Sequence, residues 1–446
     1  MQNGDVVGLK SVILDLVNCD KRNLAYSVLD HMYERSSTIQ DYDIVGELSL
    51  KSEYRSLYFE CAKTAYNLSL TPEQRIAARE NLIKAYSAMN YPEKALEYIE
   101  QQLKVLPNNF EMLCQKASNL FLCGDKYASE KLLDELLIQF PDRQRDVEFL
   151  LSSRYLRQGN TAKGISIFID TYKKPNDLFH NQLKMKKWSG IAQPGRKIYV
   201  ASEGGIGDEF INIRFFDNIR RMGMEPILYS HDNKFYQDKN RLFQRHGYVV
   251  ETDSYAIDNN EYWLPMMSLP VVLNLNESNL WNDTYLKPLR NEKNRLDGDR
   301  IKIGIKCTGN PYFTQDEYRK IPLDLMLSYL PKDVDIYYID KEDGHEGVID
   351  LADRIDSWED TLDFIDQMDY IVSSCTSLVH AAGAMGKPTF VAVPILEYYV
   401  WTSSRTDNTT PWYGNNFRVM KQTKLRDWNE PLSQISSELK KLMKEK

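Results

Sequence analysis

The chain has 446 residues, too many for one ordinary domain, so two or three are expected. Its 56 Lys and Arg stand against 64 Asp and Glu, a formal charge of -8, which removes any global electrostatic reason to bind nucleic acid or an anionic membrane. Six scattered cysteines contain no CxxC pair and six histidines show no ligand spacing, which argues against a disulfide framework, a zinc ribbon or another metal centre. With no leader pattern and no long apolar run, the expectation is a cytoplasmic chain without a membrane span.

Residues 1–77 read as helices (LKSVILDLV, NLAYSVLDHMY, YRSLYFECAKTAYNLSL) and are expected to form a helical cap or degenerate repeats. A period appears over 78–185. Pro107 and Pro141 are 34 apart, as are Asn90 and Gly124, each expected in a turn between two helices. Gly159 takes the same part in the next unit, and Pro175 falls 34 after Pro141. This is the tetratricopeptide (TPR) period, with Ala85, Tyr86, Ala95 and Leu103 at packing positions. A helix pair cannot bury its apolar face alone, so the pairs are expected to stack into a solenoid; an irregular bundle is the bland alternative.

From about 186 the pattern changes. The β-rich runs RKIYVAS, EPILYS, GYVVET and YWLPM form one series, and RIKIGIKCTG, DVDIYYID, DYIVSSC and PTFVAVP a second. The polar stretch LRNEKNRLDGDR separates them. Strands alternating with helical stretches predict parallel sheets. The expected fold is α + α/β: a TPR-like solenoid, then Rossmann-like lobes over 186–295 and 296–446, with ligands at the carboxyl ends of the strands.

Four loops can carry chemistry. ASEGGIGDEF places Gly204, Gly205 and Gly207 after a strand, but the third glycine of GxGxxG is Phe210 and no P-loop lysine follows. Asp208 is therefore read either as a general base or as a helix cap. In SSCTSLVHAAGAMGKP, Thr376 and Ser377 open a helix suited to a diphosphate, and His380 follows one turn on; N-cap and packed histidine are the bland readings. Gly383 and Gly386 suit close helix–sheet packing. In CTGNPYFTQDEYRKIPL, Thr308 and Gly309 turn at a strand end, while Arg319 and Lys320 are either cations for a departing nucleotide or a solvated pair. In TTPWYGNNFRVMKQ, Trp412 either stacks on a base or sugar or plugs the sheet edge. Asp340 and Glu342 in IDKEDGHEG are candidates to hold ribose hydroxyls.

Taken in order, the loops resemble bacterial proteins that join TPR repeats to a heptosyltransferase-like, family-nine glycosyltransferase domain. The likeness rests on Trp188, Gly190, Glu203, Gly205, Gly207 and Asp208. It continues through Gly309, Asn310, Pro311, Arg319, Ile321, Pro322 and Leu323, then Thr376, His380, Ala382, Gly383, Gly386, Lys387 and Pro388, over about 186–430. The resemblance implies a GT-B enzyme with an acceptor lobe and a nucleotide-sugar lobe, inverting and without a required metal or other cofactor. It implies Asp208, with Glu203, as the catalytic carboxylates. Thr376, Ser377, His380, Arg319, Lys320 and Thr308 fall to the donor diphosphate, and Asp340, Glu342 and Trp412 to the nucleotide. The implied partners are a nucleotide sugar, a glycan, protein or modified-DNA acceptor, and a protein held by the repeats. The family often carries Asp where this chain has Cys375, which keeps a degenerate GT-B scaffold open as the alternative. A dehydrogenase is disfavoured by the missing glycine.

Overall fold

The computed structural model describes residues 3–19, 21–172, 185–280, 283–310, 316–339, 346–396 and 398–445. Pro175, Pro311, Asp340 and Glu342 lie outside the described residues. The chain divides into two compact units, Met1–Val147 and Glu148–Lys446.

The first unit is helical: α1 (Asn3–Asn18), α2 (Arg22–Glu34), α3 (Ile39–Lys51), α4 (Arg55–Leu68), α5 (Pro72–Ala88), α6 (Pro92–Val105), α7 (Phe110–Leu122) and α8 (Lys126–Gln139). Starts are written in the sequence. Thr71 accepts from the Gln74 N–H while the Gln74 side chain returns to the Thr71 N–H, and Asn109 and Asp125 cap α7 and α8. Consecutive helices pack as antiparallel pairs on small residues, with Ala85, Ala95 and Ile99 fully buried. Asn90 turns between α5 and α6 at φ 61° and Gly124 between α7 and α8 at φ 92°. Left-handed backbone closes each helix in the same way, the physical content of the 34-residue spacing.

The boundary between the units falls within the short helix α9 (Gln144–Leu150), and the next pair, α10 (Ser152–Arg157) and α11 (Thr161–Tyr172), belongs to the second unit. Gly159 turns this pair at φ 77°. At Gly164 a Cβ would stand 2.6 Å from Leu156, so only glycine lets α11 lie this close to α10. Leu156, Ile165 and Ile169 enter the same core as Trp188, Ile198, Val200 and Leu269.

The first sheet comprises β1 (Lys186–Lys187), β2 (Lys197–Ala201), β3 (Glu225–Tyr229), β4 (Val249–Glu251) and β5 (Tyr262–Pro265), in the order β1-β5-β2-β3-β4, every pairing parallel. Helix α12 (Ile206–Asn212) follows β2, α13 (Phe216–Arg221) leads to β3, α14 (Lys234–Arg245) to β4, and α15 (Leu269–Val272) follows β5. The second sheet comprises β6 (Lys302–Lys306), β7 (Asp335–Tyr338), β8 (Ile349–Asp350), β9 (Tyr370–Ser374), β10 (Thr389–Val393) and β11 (Phe417–Lys421), in the order β11-β10-β9-β6-β7-β8, again parallel. Its helices are α16 (Asp316–Arg319), α17 (Leu323–Tyr329), α18 (Trp358–Gln367), α19 (Ser377–Ala384) and α20 (Asn429–Glu445). Central strands β9 and β10 are buried at every position, as an apolar run covered on both faces should be. Helix α20 supplies Leu432, Ile435 and Leu439 to one face of that sheet.

Both sheets share one winding. After the short edge strand β1 of the first sheet, the chain passes mid-sheet (β2, β6), runs to one edge (β3–β4, β7–β8), then returns to the other side (β5, β9). The expected parallel, Rossmann-like lobes are present, each with a switch point: β2 against β5 in the first, β6 against β9 in the second.

Candidate functional site

In doubly wound sheets the crevice for a ligand opens beyond the carboxyl ends of the strands at the switch point. Both crevices are bridged by side chains from the loops singled out in the sequence. In the first lobe, the Glu203 carboxylate, one residue beyond Ser202 at the end of β2, accepts the backbone N–H of Met267 after β5 at 3.2 Å. In the second, Arg319 after β6 donates through Nη1 to the carbonyl of Cys375 after β9 at 2.8 Å. One crevice is lined by a carboxylate and the other by a guanidinium.

The loop of the first lobe is shaped around Asp208. Gly204 has φ +77°, and a Cβ there would lie 2.5 Å from Asp208 Oδ2. Gly205 is the N-cap of α12, and its N–H donates to Asp208 Oδ2 at 2.7 Å. The cap reading is therefore realised by Asp208 from the third helical position, for a helix that starts at Ile206 rather than Glu209. The other oxygen, Oδ1, accepts the hydroxyl of Tyr398. Burial pushes the Asp208 carboxyl above its ordinary range, against the opposing pull of the Tyr398 and Gly205 hydrogen bonds. Behind the loop, Glu209 and Lys239 form a buried pair at 2.5 Å, with Ser202 bonded to Glu209 and Ser230 to Lys239. Desolvation lowers the Lys239 ammonium, and Glu209 resists that shift.

The loops of the second lobe are built on Arg319. Its Nε donates to Asp316 Oδ1 at 2.7 Å, and the same oxygen accepts the Gly309 N–H at 3.0 Å. A Cβ on Gly309 would fall 2.0 Å from Arg319 Nη2, so the guanidinium lies directly over that glycine. Arg319 is thus braced rather than solvated, while Lys320 is exposed and offers its carbonyl to Trp428. Thr308 is half-buried in the same turn. Across the switch point, Thr376 is the N-cap of α19, 2 % exposed, with its hydroxyl 3.3 Å from that of Ser373. Ser377 is half-buried at the first helical position. Cys375 receives the Trp401 indole N–H on its sulfur at 2.7 Å. Burial pushes this thiol up to about 11, and the nearby Arg319 charge opposes the rise.

The two crevices meet at Gly207. A Cβ there would lie 3.0 Å from His380 Cδ2 and 3.5 Å from Ser377 Cα. Helix α12 of the first lobe therefore rests on the N-terminal turn of α19 in the second. His380 is buried, stacked on Trp401 at 5.0 Å and 11°, with Nδ1 2.8 Å from the Tyr413 hydroxyl. Desolvation, reinforced by the charges of Arg214 and Arg319, holds its imidazole down at about 3. It is a neutral, packed ring, the bland reading of that residue. Gly383 clears space for Tyr413, whose ring atoms would stand 2.5 Å from an added Cβ. Trp412 is 1 % exposed and packs against Phe215 and Tyr399, so the stacking platform expected of it gives way to a core side chain.

Sequence reading missed five residues here. Asp316 sits three positions before Arg319, a spacing that pairs charges on a helix. The aromatic run of Tyr398, Tyr399 and Trp401 carries no motif. Arg214 is fully buried, donates to the Ile211 and Trp412 carbonyls at 2.8 and 2.5 Å, and lies 4.8 Å from the ring centres of both Tyr285 and Tyr413. Nothing in FINIRFF marks that arginine as internal.

Among the described residues no group of three or more His, Cys, Asp or Glu is arranged to hold a metal ion, and no helix is long and apolar enough to cross a membrane. No family model matches the sequence, and no curated protein matches it. Solved structures with a similar chain path include the iron-containing dodecameric glycosyltransferase TibC of enterotoxigenic E. coli, at TM-score 0.38 and 11% identity over 57% of this chain and 77% of that one. A mutant O-GlcNAc transferase of Thermobaculum terrenum aligns at TM-score 0.34 and 12% identity over 87% of this chain and 83% of its own. The ADP-heptose lps heptosyltransferase II of E. coli aligns at 0.30 and 15%, over 56% of this chain and 100% of its own. Likenesses at these scores assign no residue a role; the sheets and the geometry between them carry the reading.

Proposed function

We propose that this protein is a GT-B glycosyltransferase that moves a sugar from a nucleotide-diphosphate sugar to a hydroxyl acceptor. The observation that carries the proposal is the contact at Gly207, which sets the carboxylate of one crevice beside the helix N-terminus of the other. In the proposed step Asp208 takes the acceptor proton as the acceptor oxygen bonds to the anomeric carbon. The bond from that carbon to the diphosphate oxygen breaks, and the leaving group departs with the electron pair. Attack from the face opposite the leaving group inverts the centre. Free N–H groups at the start of α19, the hydroxyls of Thr376 and Ser377, and Arg319 receive the diphosphate charge, with Thr308 and Lys320 at the rim. A base raised toward neutrality by burial is suited to this task, and the Asp208 carboxyl is shifted that way. Glu203 holds the loop to β5 rather than acting as a second base. His380 contributes shape, not charge. The helical repeats of the first unit hold the acceptor or a protein partner in this reading.

The test is a thermal-shift panel of UDP, ADP, GDP and their sugars, followed by an assay of nucleoside diphosphate release. A ligand bound only by the folded state raises the melting temperature. No shift and no release with any member would sink the proposal.

A further inference from the structure

The Asp208 carboxylate receives a side-chain hydrogen bond from the Tyr398 hydroxyl, and that tyrosine is held from a third direction. Its ring meets Phe168 of α11 edge-on at 5.4 Å and Tyr399 at 4.5 Å, and Phe168 also touches Tyr399 at 5.5 Å. Tyr399 is in turn 3.3 Å from Asn212 Nδ2, which donates to the Asp208 carbonyl at 2.8 Å. Helix α11 is the second helix of a repeat-like pair, yet its aromatic side chain supports the residue that grips the carboxylate.

We propose that Tyr398 is a positioning residue for Asp208, and that Phe168 holds Tyr398 in place, so that the α10–α11 helix pair is a working wall of the acceptor crevice. This rests on the reading of Asp208 as the base. Each carboxylate oxygen has two lone pairs. Tyr398 takes one on Oδ1 and Gly205 one on Oδ2, which fixes the rotamer and leaves a lone pair for the incoming hydroxyl. Tyr398 is the donor because its own proton is held tightly: burial and the adjacent Asp208 charge push the phenol well above its ordinary value. Other groups facing the carboxylate are Glu209 on its own helix, Tyr399, and Cys375 from the second lobe. Of these, Glu209 raises the Asp208 carboxyl further. Loss of the phenol removes a bond to the ionised form, so the sign is upward for the acid limb of the rate profile.

The experiment measures nucleoside diphosphate release from the UDP-, ADP- and GDP-sugar panel against pH, for the full chain and for Y398F, F168L, F168Y and D208N. Tyr398→Phe should lower kcat roughly tenfold and move its acid limb up by about one pH unit, with KM for the sugar nucleotide and the melting temperature little changed. Phe168→Leu should move the limb the same way by less, and Phe168→Tyr should restore it. No release by the wild type, or full release by D208N, overturns the base reading and this inference with it. With D208N inactive, an unchanged Y398F profile overturns the inference alone and leaves the base in place. Loss of rate in F168L without a shifted limb, beside a shifted Y398F, removes the α11 wall from the proposal.

Discussion

Four strands in each of the two lobes of the second unit wind in one order, β5-β2-β3-β4 and β9-β6-β7-β8, and the lobes differ in what they place at the switch point. The first presents carboxylates, Glu203 on a backbone N–H and Asp208 under Tyr398. The second presents Arg319 on a backbone carbonyl, beside a helix N-terminus. Backbone topology sets where a ligand lies, and the loop side chains decide its charge. A carboxylate suits a hydroxyl that must lose a proton, whereas a guanidinium and open N–H groups suit a leaving diphosphate. The contrast also shows in how each loop is stiffened. The first stands on the buried Glu209–Lys239 pair, the second on Asp316, which binds both Arg319 and the Gly309 N–H.

The largest expected effect removes the anion of the first lobe. Asp208→Asn keeps an acceptor for the Gly205 N–H, so the fold should hold while transfer falls about 10²- to 10⁴-fold, read by nucleoside diphosphate release beside a melting curve. Stability is the next lever. Lys239→Met strands Glu209 as a buried unpaired charge and should cost about 3–5 kcal/mol in urea unfolding. Pairing it with Glu209→Gln should recover most of that loss; equal destabilisation in both variants would show that the pair does not hold the loop.

In the second lobe, Gly309→Ala drives a methyl into the guanidinium of Arg319 and its Asp316 partner, side-chain ends that can shift only by giving up that pairing. The fold should hold while nucleoside diphosphate affinity drops about tenfold, and Arg319→Ala should add little to it because both remove one interaction. Calorimetry on the two single variants and the double variant checks this, and simple additivity would separate Gly309 from Arg319.

A further effect concerns pH. The His380 imidazole is depressed to about 3 in the folded chain, so below the unfolded value near 6.5 the unfolded state binds the extra proton. Stability should fall as pH drops from about 6.5 toward 3, by on the order of 4–5 kcal/mol, and His380→Gln should flatten that slope. Asp208 works in the opposite sense: its raised carboxyl adds stability in acid that is lost as pH rises through the folded value. The comparison is therefore made with D208N as the common background.

Strand after strand was legible because apolar β-rich runs stand between charged helical ones, and RKIYVAS and DYIVSSC became β2 and β9. The turn residues Asn90 and Gly124 were legible because left-handed backbone selects few residue types. Strand β11 was not, since Arg418 and Lys421 interrupt its apolar positions at the sheet edge. The loops of the site could be located, but not their partners. Asp208 and Tyr398 are 190 positions apart, and no local pattern encodes which phenol reaches which carboxylate. Arg214 was invisible for a related reason: arginine is ordinarily at the surface, and only tertiary structure supplies the tyrosine faces and carbonyls that let it be internal. Trp412 failed as a platform because the same aromatic packing absorbed it.

That arginine bears on turnover. It is tied at once to the Ile211 carbonyl of the first lobe and the Trp412 carbonyl of the second, between the rings of Tyr285 and Tyr413. Splaying the lobes apart at this point would strip the cation of the Trp412 carbonyl and the Tyr413 ring together, before water replaced them. The base of the crevice is in effect riveted. In the proposed reaction, substrates would then come and go through the mouth formed by the strand-end loops, and the rate of product escape would belong to those loops rather than to a hinge beneath them.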